Sequence, residues 1–355
     1  MMFPNYLLAL ASGLSFAAAS PLHVYRSESG LPAKTIFQFN QTGTWLENLA
    51  VRPNGDLLMT MLTPSASLWT LKQPYSPHPE ASLVHTFTGA TGLNGITEVR
   101  PDVFVLLSAQ YSGVGEPVAG SFAVWEVSFH SSSTSPSIRK ITDFPEAQLA
   151  NGIALVPTCS EHDIVLVCDS FAGSLWRINT RTGDRAPLVQ QAPSMSAPAG
   201  GALPIGINGL KVRGGYAYWS NSAQVAIYRT RIDAHGYLAS STSTTANGTA
   251  VDVEVGVETV ATLDSPFVDD FAFDGRGLLW VATNGDNKVD VVRADGSVET
   301  VAGGADADAV AGDSAVAFGR TPLDRDVLYV TTSGTLPNNR TEPAKVVAVN
   351  RAGFH

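Results

Sequence analysis

Charge is scarce in this sequence. Only 15% of its 355 residues are Asp, Glu, Lys or Arg, against 44% hydrophobic, where ordinary soluble domains carry ~25% charge. A disordered, charge-rich chain is thereby excluded. Positive charge is scarcer still: 22 Lys and Arg stand against 32 Asp and Glu, for a net charge of −10, and no basic cluster exceeds a pair. The basic footprint that would recruit nucleic acid or anionic lipid is missing. Beyond the extreme N terminus no apolar run approaches the ~20 residues of a membrane span. No helical period is visible from residue 30 onward, no glycine-rich phosphate loop is present, and neither the WD40 nor the kelch signature occurs.

Cysteine is nearly absent. Cys159 and Cys168 are the two in the chain, too few for a disulfide framework and without the neighbours of a metal site. Their spacing places them on one hairpin, with Cys168 opposite about Ile153. That leaves Cys159 roughly five residues along the strand, too far for a bridge at ~3.3 Å per residue, so two free thiols are expected. Residues 1–19 read as an export signal, with an apolar stretch from Tyr6 to Phe16 and small residues at Ala17, Ala18 and Ala19, cut after Ala19. The mature domain would then run over 20–355, in the secretory pathway. Three sequons, at Asn40, Asn247 and Asn339, fit glycosylation of a secreted protein.

What is abundant is repetition. A short strand opening on Asn or an acid recurs at Glu47, Asn94, Asn151, Asn208, Asp269 and Ser314, with successive starts 47, 57, 57, 61 and 45 residues apart. A very apolar second strand follows each, near residues 56–60, 103–108, 164–168, 216–219, 278–283 and 327–332. Third strands follow near 67–71, 122–129, 174–179, 225–231, 288–293 and 345–350. Fourth strands close all units but the last. The runs are β-branched and aromatic and are bounded by Gly, Pro, Asn and Asp, which selects strand over helix. Four strands per unit of this length is a propeller blade. The chain is therefore expected to be an all-β, six-bladed β-propeller. Residues 35–39 lie unused before the first unit, and would supply the last blade's missing outer strand so that no edge is left open.

In a propeller the first strand of each blade lines the central channel. Glu47, Asn94, Asn151, Asn208, Asp269 and Asp270 are then expected to converge on one axial pocket. Carboxylates gathered there are costly without a cation, a polar ligand or water. Glu47, Asp269 and Asp270 are the candidate acids. For the Asn residues a second reading stands beside this one, since Asn-Gly can hold a turn by bonding to its own backbone. Trp45, Tyr111, Phe171 and Asn284 fall on the same face, and the three aromatic ones would give the pocket a rim. All seven histidines (His23, His78, His85, His130, His162, His235 and His355) fall outside the channel strands, which argues against a His-dependent hydrolase or a His-rich metal site.

These motifs resemble secreted fungal propellers related to the gluconolactonase and senescence-marker-protein superfamily, over roughly residues 35–350. In its metal-dependent lactonases a divalent cation sits on a Glu of the first blade, Asn residues of middle blades and an Asp of the fifth. The matching positions here are Glu47, Asn151, Asn208 and Asp269, whose oxygen donors suit Ca²⁺ or Mg²⁺. Two lactonase motifs are altered: Glu-Gly-Pro reads Glu47-Asn48-Leu49, and Pro-Asp-Gly reads Val268-Asp269-Asp270. The segments at 45–55, 149–153 and 269–274 look closer to the fungal hetero-Diels–Alderases of tropolone–sesquiterpenoid biosynthesis. That resemblance implies a metal-free, cofactor-free pericyclase acting on small apolar partners. A tropolone o-quinone methide would be joined to an alkene such as humulene. A metal-dependent lactonase and a non-enzymatic ligand-binding propeller are the alternatives.

Overall fold

The computed structural model describes residues 24–25, 30–129, 135–157, 163–238, 256–336, 338 and 340–354. The proposed export signal, Cys159, Asn247 and Asn339 lie outside the described residues, whereas Asn40 is exposed. Among the described residues the extended elements are all β-strands; they form six antiparallel sheets in a ring, a six-bladed β-propeller, with two further two-stranded ribbons outside the blades. The innermost strands of blades one to six are Trp45–Val51, Gly92–Arg100, Ala150–Leu155, Ile207–Arg213, Phe271–Phe273 and Asp313–Phe318.

Burial follows position in the blade. The second strand of blade one, Leu57–Thr63, is apolar and buried nearly throughout, because neighbouring blades cover both of its faces. The outermost strand, Glu80–Thr86, has no fully buried residue, only half-buried and exposed ones. The apolar cores lie between blades. One joins Leu166, Cys168 and Leu175 of blade three to Ile207, Ala217 and Trp219 of blade four. Another joins Leu46 and Met59 of blade one to Tyr329 and Val346 of blade six. The starts of the innermost strands, by contrast, carry buried polar side chains.

Blade six takes three strands from the C-terminal part and its fourth from the N-terminal part. Ala33–Gln38 pairs with Lys345–Asn350, with Ala33 opposite Val349 and Thr35 opposite Val347. The closing strand begins two residues earlier than the sequence suggested. Val24–Tyr25 adds a further edge strand on its outside. Ile36 and the flanking Phe37 and Phe39 pack into the core shared by blades six and one. Deleting residues 33–38 therefore opens the ring and strips that core. Such a chain should lose its cooperative thermal transition, and a truncated protein that kept a wild-type melt by circular dichroism would contradict closure by this strand.

Candidate active site at the channel axis

A dipeptide recurs at the same place in each blade: Glu47-Asn48, Asn94-Gly95, Asn151-Gly152, Asn208-Gly209, Asp269-Asp270 and Asp313-Ser314. In blades one, two, three, four and six the pairing with the second strand slips at this point. Such a bulge interrupts the alternation of faces and re-aims a side chain. The first members are all buried, although they are polar.

The second members close the channel. A Cβ on Gly95 would lie 2.3 Å from the Asn151 carbonyl oxygen, and one on Gly152 would lie 2.2 Å from that of Asn208. A Cβ on Gly209 would lie 2.6 Å from Asp270 Oδ1 and 2.8 Å from its Cα. None of these three glycines has a positive φ. Glycine is required here because each blade's backbone presses against the next, and not because a turn demands it. This decides against the turn reading of the Asn-Gly pairs.

The bulged backbone is satisfied from the second strands. Gly152 N–H donates to Cys168 Sγ at 3.0 Å, and the thiol donates onward to the Asn208 carbonyl at 2.7 Å. Gly209 N–H and Ser220 Oγ repeat the arrangement one blade on, at 2.7 Å, with the hydroxyl donating to the Asp269 carbonyl at 2.6 Å. Thr60 Oγ1 accepts from Asn48 N–H at 3.0 Å. Cys168 is thus a free, buried thiol doing the work of a hydroxyl, and burial pushes its pKa up. Its register corrects the expected one slightly: Ile153 pairs with Val167, leaving Cys168 beside Gly152.

In the upper layer Asp269 is held on both oxygens. Asn208 Nδ2 donates to Oδ1 at 2.9 Å, and Asn284 Nδ2 donates to Oδ2 at 2.8 Å. Asn284 adopts a left-handed backbone, φ 49°, which Asn tolerates better than most residues. Tyr111 Oη donates to Asn94 Oδ1 at 2.7 Å, so Asn94 serves to fix the tyrosine. Phe171 is half-buried and packs on the core shared by blades two and three, so it contributes mainly packing. Tyr111, which begins a short strand, packs on that same core.

Glu47 is different. Burial pushes its pKa up to about 7, with the charge of Asp270 adding, while the nearby Trp45 indole pulls partly the other way. That indole approaches without meeting hydrogen-bond geometry, so Trp45 Nε1–H is buried with no partner among the described residues. Asp269 is also raised well above the usual carboxylate range, by burial first and then by the charge of Glu47. Ionising both carboxyls together is therefore unfavourable. Tyr111 is driven up by burial and by Glu47 as well. The geometry therefore gathers a proton-holding acid pair and an unsatisfied indole N–H.

Asp270, expected among the acids of the pocket, faces other partners. Lys211 Nζ reaches its two oxygens at 2.6 and 2.8 Å, and Asn48 Nδ2 donates to Oδ2 at 3.2 Å. It is an ion-paired brace of the neck. Asp313 escaped the sequence reading, which began the sixth unit one residue later at Ser314. Asp313 is fully buried, accepts the Thr283 N–H through Oδ2 at 2.9 Å, and is raised by burial.

Four residues were expected as oxygen ligands for a divalent cation. Of these, Asn208 turns its NH₂ toward Asp269, and the second oxygen of Asp269 is taken by the NH₂ of Asn284. A cation site needs carbonyl and carboxylate oxygens aimed at one point. No group of three or more His, Cys, Asp or Glu residues is placed to hold a metal among the described residues. With the Asn208 and Asn284 amides turned as donors onto Asp269, this donor set does not present oxygens suited to Ca²⁺ or Mg²⁺.

No protein-family model matches the chain. A Phoma sp. protein bearing the provisional name hetero-Diels–Alderase is 30% identical over 346 residues, covering 91% of this chain and 92% of the relative. A Sarocladium schorii protein of the same provisional name is 28% identical over 384 residues, covering 99% of this chain and 89% of the relative. Among solved structures, a luciferin-regenerating enzyme superposes with a TM-score of 0.60 at 14% identity, over 91% of this chain and 96% of its own. A protein provisionally named gluconolactonase gives 0.53 at 15% identity, over 92% and 93%. At such identities these two likenesses establish the fold alone.

Proposed function

This chain belongs to the hetero-Diels–Alderase family, and on that premise we propose that it joins a tropolone-derived o-quinone methide to the alkene of a macrocyclic sesquiterpene such as humulene in the axial pocket. It is an enzyme of cyclase type acting on small molecules. In the cycloaddition the quinone-methide oxygen bonds to one alkene carbon and its exocyclic methylene carbon to the other. Three π bonds become two σ bonds and one new π bond, so no proton, electron or leaving group is exchanged. Two things remain for the protein. It holds the partners in reactive geometry, and it places hydrogen-bond donors on the oxygen that gains electron density.

The observation that carries this reading is the pairing of Glu47, poised at about 7, with the unsatisfied indole N–H of Trp45. Protonated Glu47 and Trp45 would both donate to the quinone-methide oxygen. Burial, with the charge of Asp270 adding, keeps the proton on Glu47, and Asp269, fixed by Asn208 and Asn284, is itself raised by burial and by the Glu47 charge. Glu47 would also give its proton to the hydroxyl that leaves as water when a hydroxymethyl precursor forms the quinone methide, and its carboxylate would take back the proton of the ring hydroxyl, so that the acid is restored. Tyr111 and Trp45 supply the aromatic rim, Phe171 backs it, and Asn94 steadies Tyr111. Export through residues 1–19 and a glycan on exposed Asn40 belong to the same proposal. The mass of the secreted protein before and after enzymatic deglycosylation tests both.

No step in this scheme uses a metal. Treatment with chelator should leave the rate of product formation from tropolone precursor plus humulene unchanged. Loss of that activity, restored by Ca²⁺ or Mg²⁺ and accompanied by turnover of a lactone panel, would instead assign Glu47, Asn151, Asn208 and Asp269 to a cation and the chain to lactone hydrolysis.

A further inference from the structure

At the channel mouth opposite the carboxyl pair, the ends of the six innermost strands surround a cavity of about 540 Å³. That lies within the ~300–1,000 Å³ of small-molecule sites. Each blade contributes an apolar wall residue: Leu49, Ile96, Ile153, Val212, Phe273 and Val316. The neck of Asn48, Gly95, Gly152, Gly209, Asp270 and Ser314 separates this well from the upper pocket, so it is a distinct space.

Its polar groups are mostly cationic, although the chain as a whole carries −10. Lys211, Arg213 and Arg320 line it, with Glu98 the acid among them. Lys211 is committed to Asp270, and Arg320 to Glu98 and the Val51 carbonyl. Arg213 is not so committed. Its Nη1 donates to the Asp274 backbone carbonyl at 2.8 Å, and its guanidinium lies 4.9 Å from the Phe273 ring centroid. The Asp274 carboxylate is taken by Arg276 and Arg351 instead, and no carboxylate pairs with Arg213 among the described residues. Backbone and ring therefore fix a half-buried guanidinium at the edge of an apolar well with its Nη2 and Nε without a hydrogen-bond partner among the described residues. A guanidinium so placed is pre-organised for a carboxylate.

We infer that this opposite mouth is a second small-molecule site that takes an amphipathic monocarboxylate. The aliphatic body fills the six-strand well, and the carboxylate rests on Arg213, with the Lys211 ammonium nearby. The site does not depend on the reaction proposed for the upper pocket.

Isothermal titration of the full chain with decanoate, below its micellar concentration and with decanol as the neutral control, tests this. Decanoate should bind saturably at one site, at least tenfold tighter than decanol. Arg213→Gln should weaken decanoate at least tenfold while leaving decanol binding, melting temperature and product formation unchanged. Leu155→Trp, at a half-buried wall position, should remove both ligands by filling the well, with the melt reporting that the variant is folded. No saturable decanoate binding by the wild-type chain would overturn the inference, as would equal binding by Arg213→Gln. Loss of decanoate binding in Glu47→Gln would also overturn it, by placing the ligand in the upper pocket.

Discussion

Glu47→Gln should lower the rate of product formation by roughly 100-fold or more, the scale on which a positioned acid or oxyanion donor acts, while the protein at pH 8 becomes more stable. Both effects follow from one shift. The folded-state pKa of Glu47 is raised from 4.5 to about 7, so the folded chain holds this proton more tightly than the unfolded one. The stabilisation is complete below about 4.5 and is lost as pH rises through 7. Above 7 the folded chain carries an ionised, buried Glu47 at a cost of roughly 3 kcal/mol. Gln removes that cost and keeps the size of the side chain. Thermal melts of wild type and variant at pH 5 and pH 8, with rates on the same samples, check this. A variant that melts lower at pH 8 and turns over normally would make Glu47 a structural residue.

Asp269→Asn should behave otherwise. Both Asp269 oxygens accept amide N–H groups, so an Asn there must turn its own NH₂ toward one of them. The sequence alone suggested that neutralising either acid would leave stability almost intact. The double amide cradle changes that for Asp269, where a loss of ~1–3 kcal/mol is expected from one unsatisfied buried donor.

The second large effect is on the fold. Gly152→Ala should cost at least ~3 kcal/mol, at the upper end for overpacking. The new methyl would sit 2.2 Å from the Asn208 carbonyl oxygen, 2.9 Å from Leu210 N and 3.1 Å from Cys168 Sγ. Two of these are backbone atoms of the adjoining blade, and the third is a buried thiol already bonded on both sides, so nothing can yield cheaply. Gly275→Ala is the control, since no atom lies within 4 Å of its Cβ position and its φ is not positive. It should be neutral or gain ~0.5 kcal/mol. Denaturant midpoints compare the two, and a Gly152→Ala protein within about 1 kcal/mol of wild type would contradict the close-packed neck, given overpacking costs of ~1–3 kcal/mol.

The ring could be read from the sequence because its signals are local. Each polar opener is followed within one turn by an apolar strand, and the second strand Val327–Thr332 and third strands Ser174–Asn179 and Lys345–Asn350 fall where the pattern placed them. The convergence of Glu47 and Asp269 followed from the same periodicity. The rest depends on contacts between blades, which no local spacing encodes. Asp270 is neutralised by Lys211, 59 residues away on the next blade. Cys168 looks like an ordinary core cysteine until the bulge beside it leaves Gly152 N–H in need of an acceptor. Asp313 lies one residue before Ser314, where the repeat opens its sixth unit. Aligning Asp313-Ser314 with Asp269-Asp270 as a two-residue motif is the signal that would have found it. The well at the opposite mouth is made of strand ends from all six blades, and only their assembly creates it.

Catalysis turns on a buried acid that must be protonated to act. The pH dependence of kcat for the wild-type chain, with preformed tropolone precursor and saturating humulene, measures that state directly. The rate should be flat below pH 6 and fall about tenfold per pH unit above a midpoint near the pKa of about 7 assigned to Glu47, and Glu47→Gln should be slow without that falling limb. A wild-type rate that is constant from pH 5 to 9, or a falling limb that survives in Glu47→Gln, would contradict it.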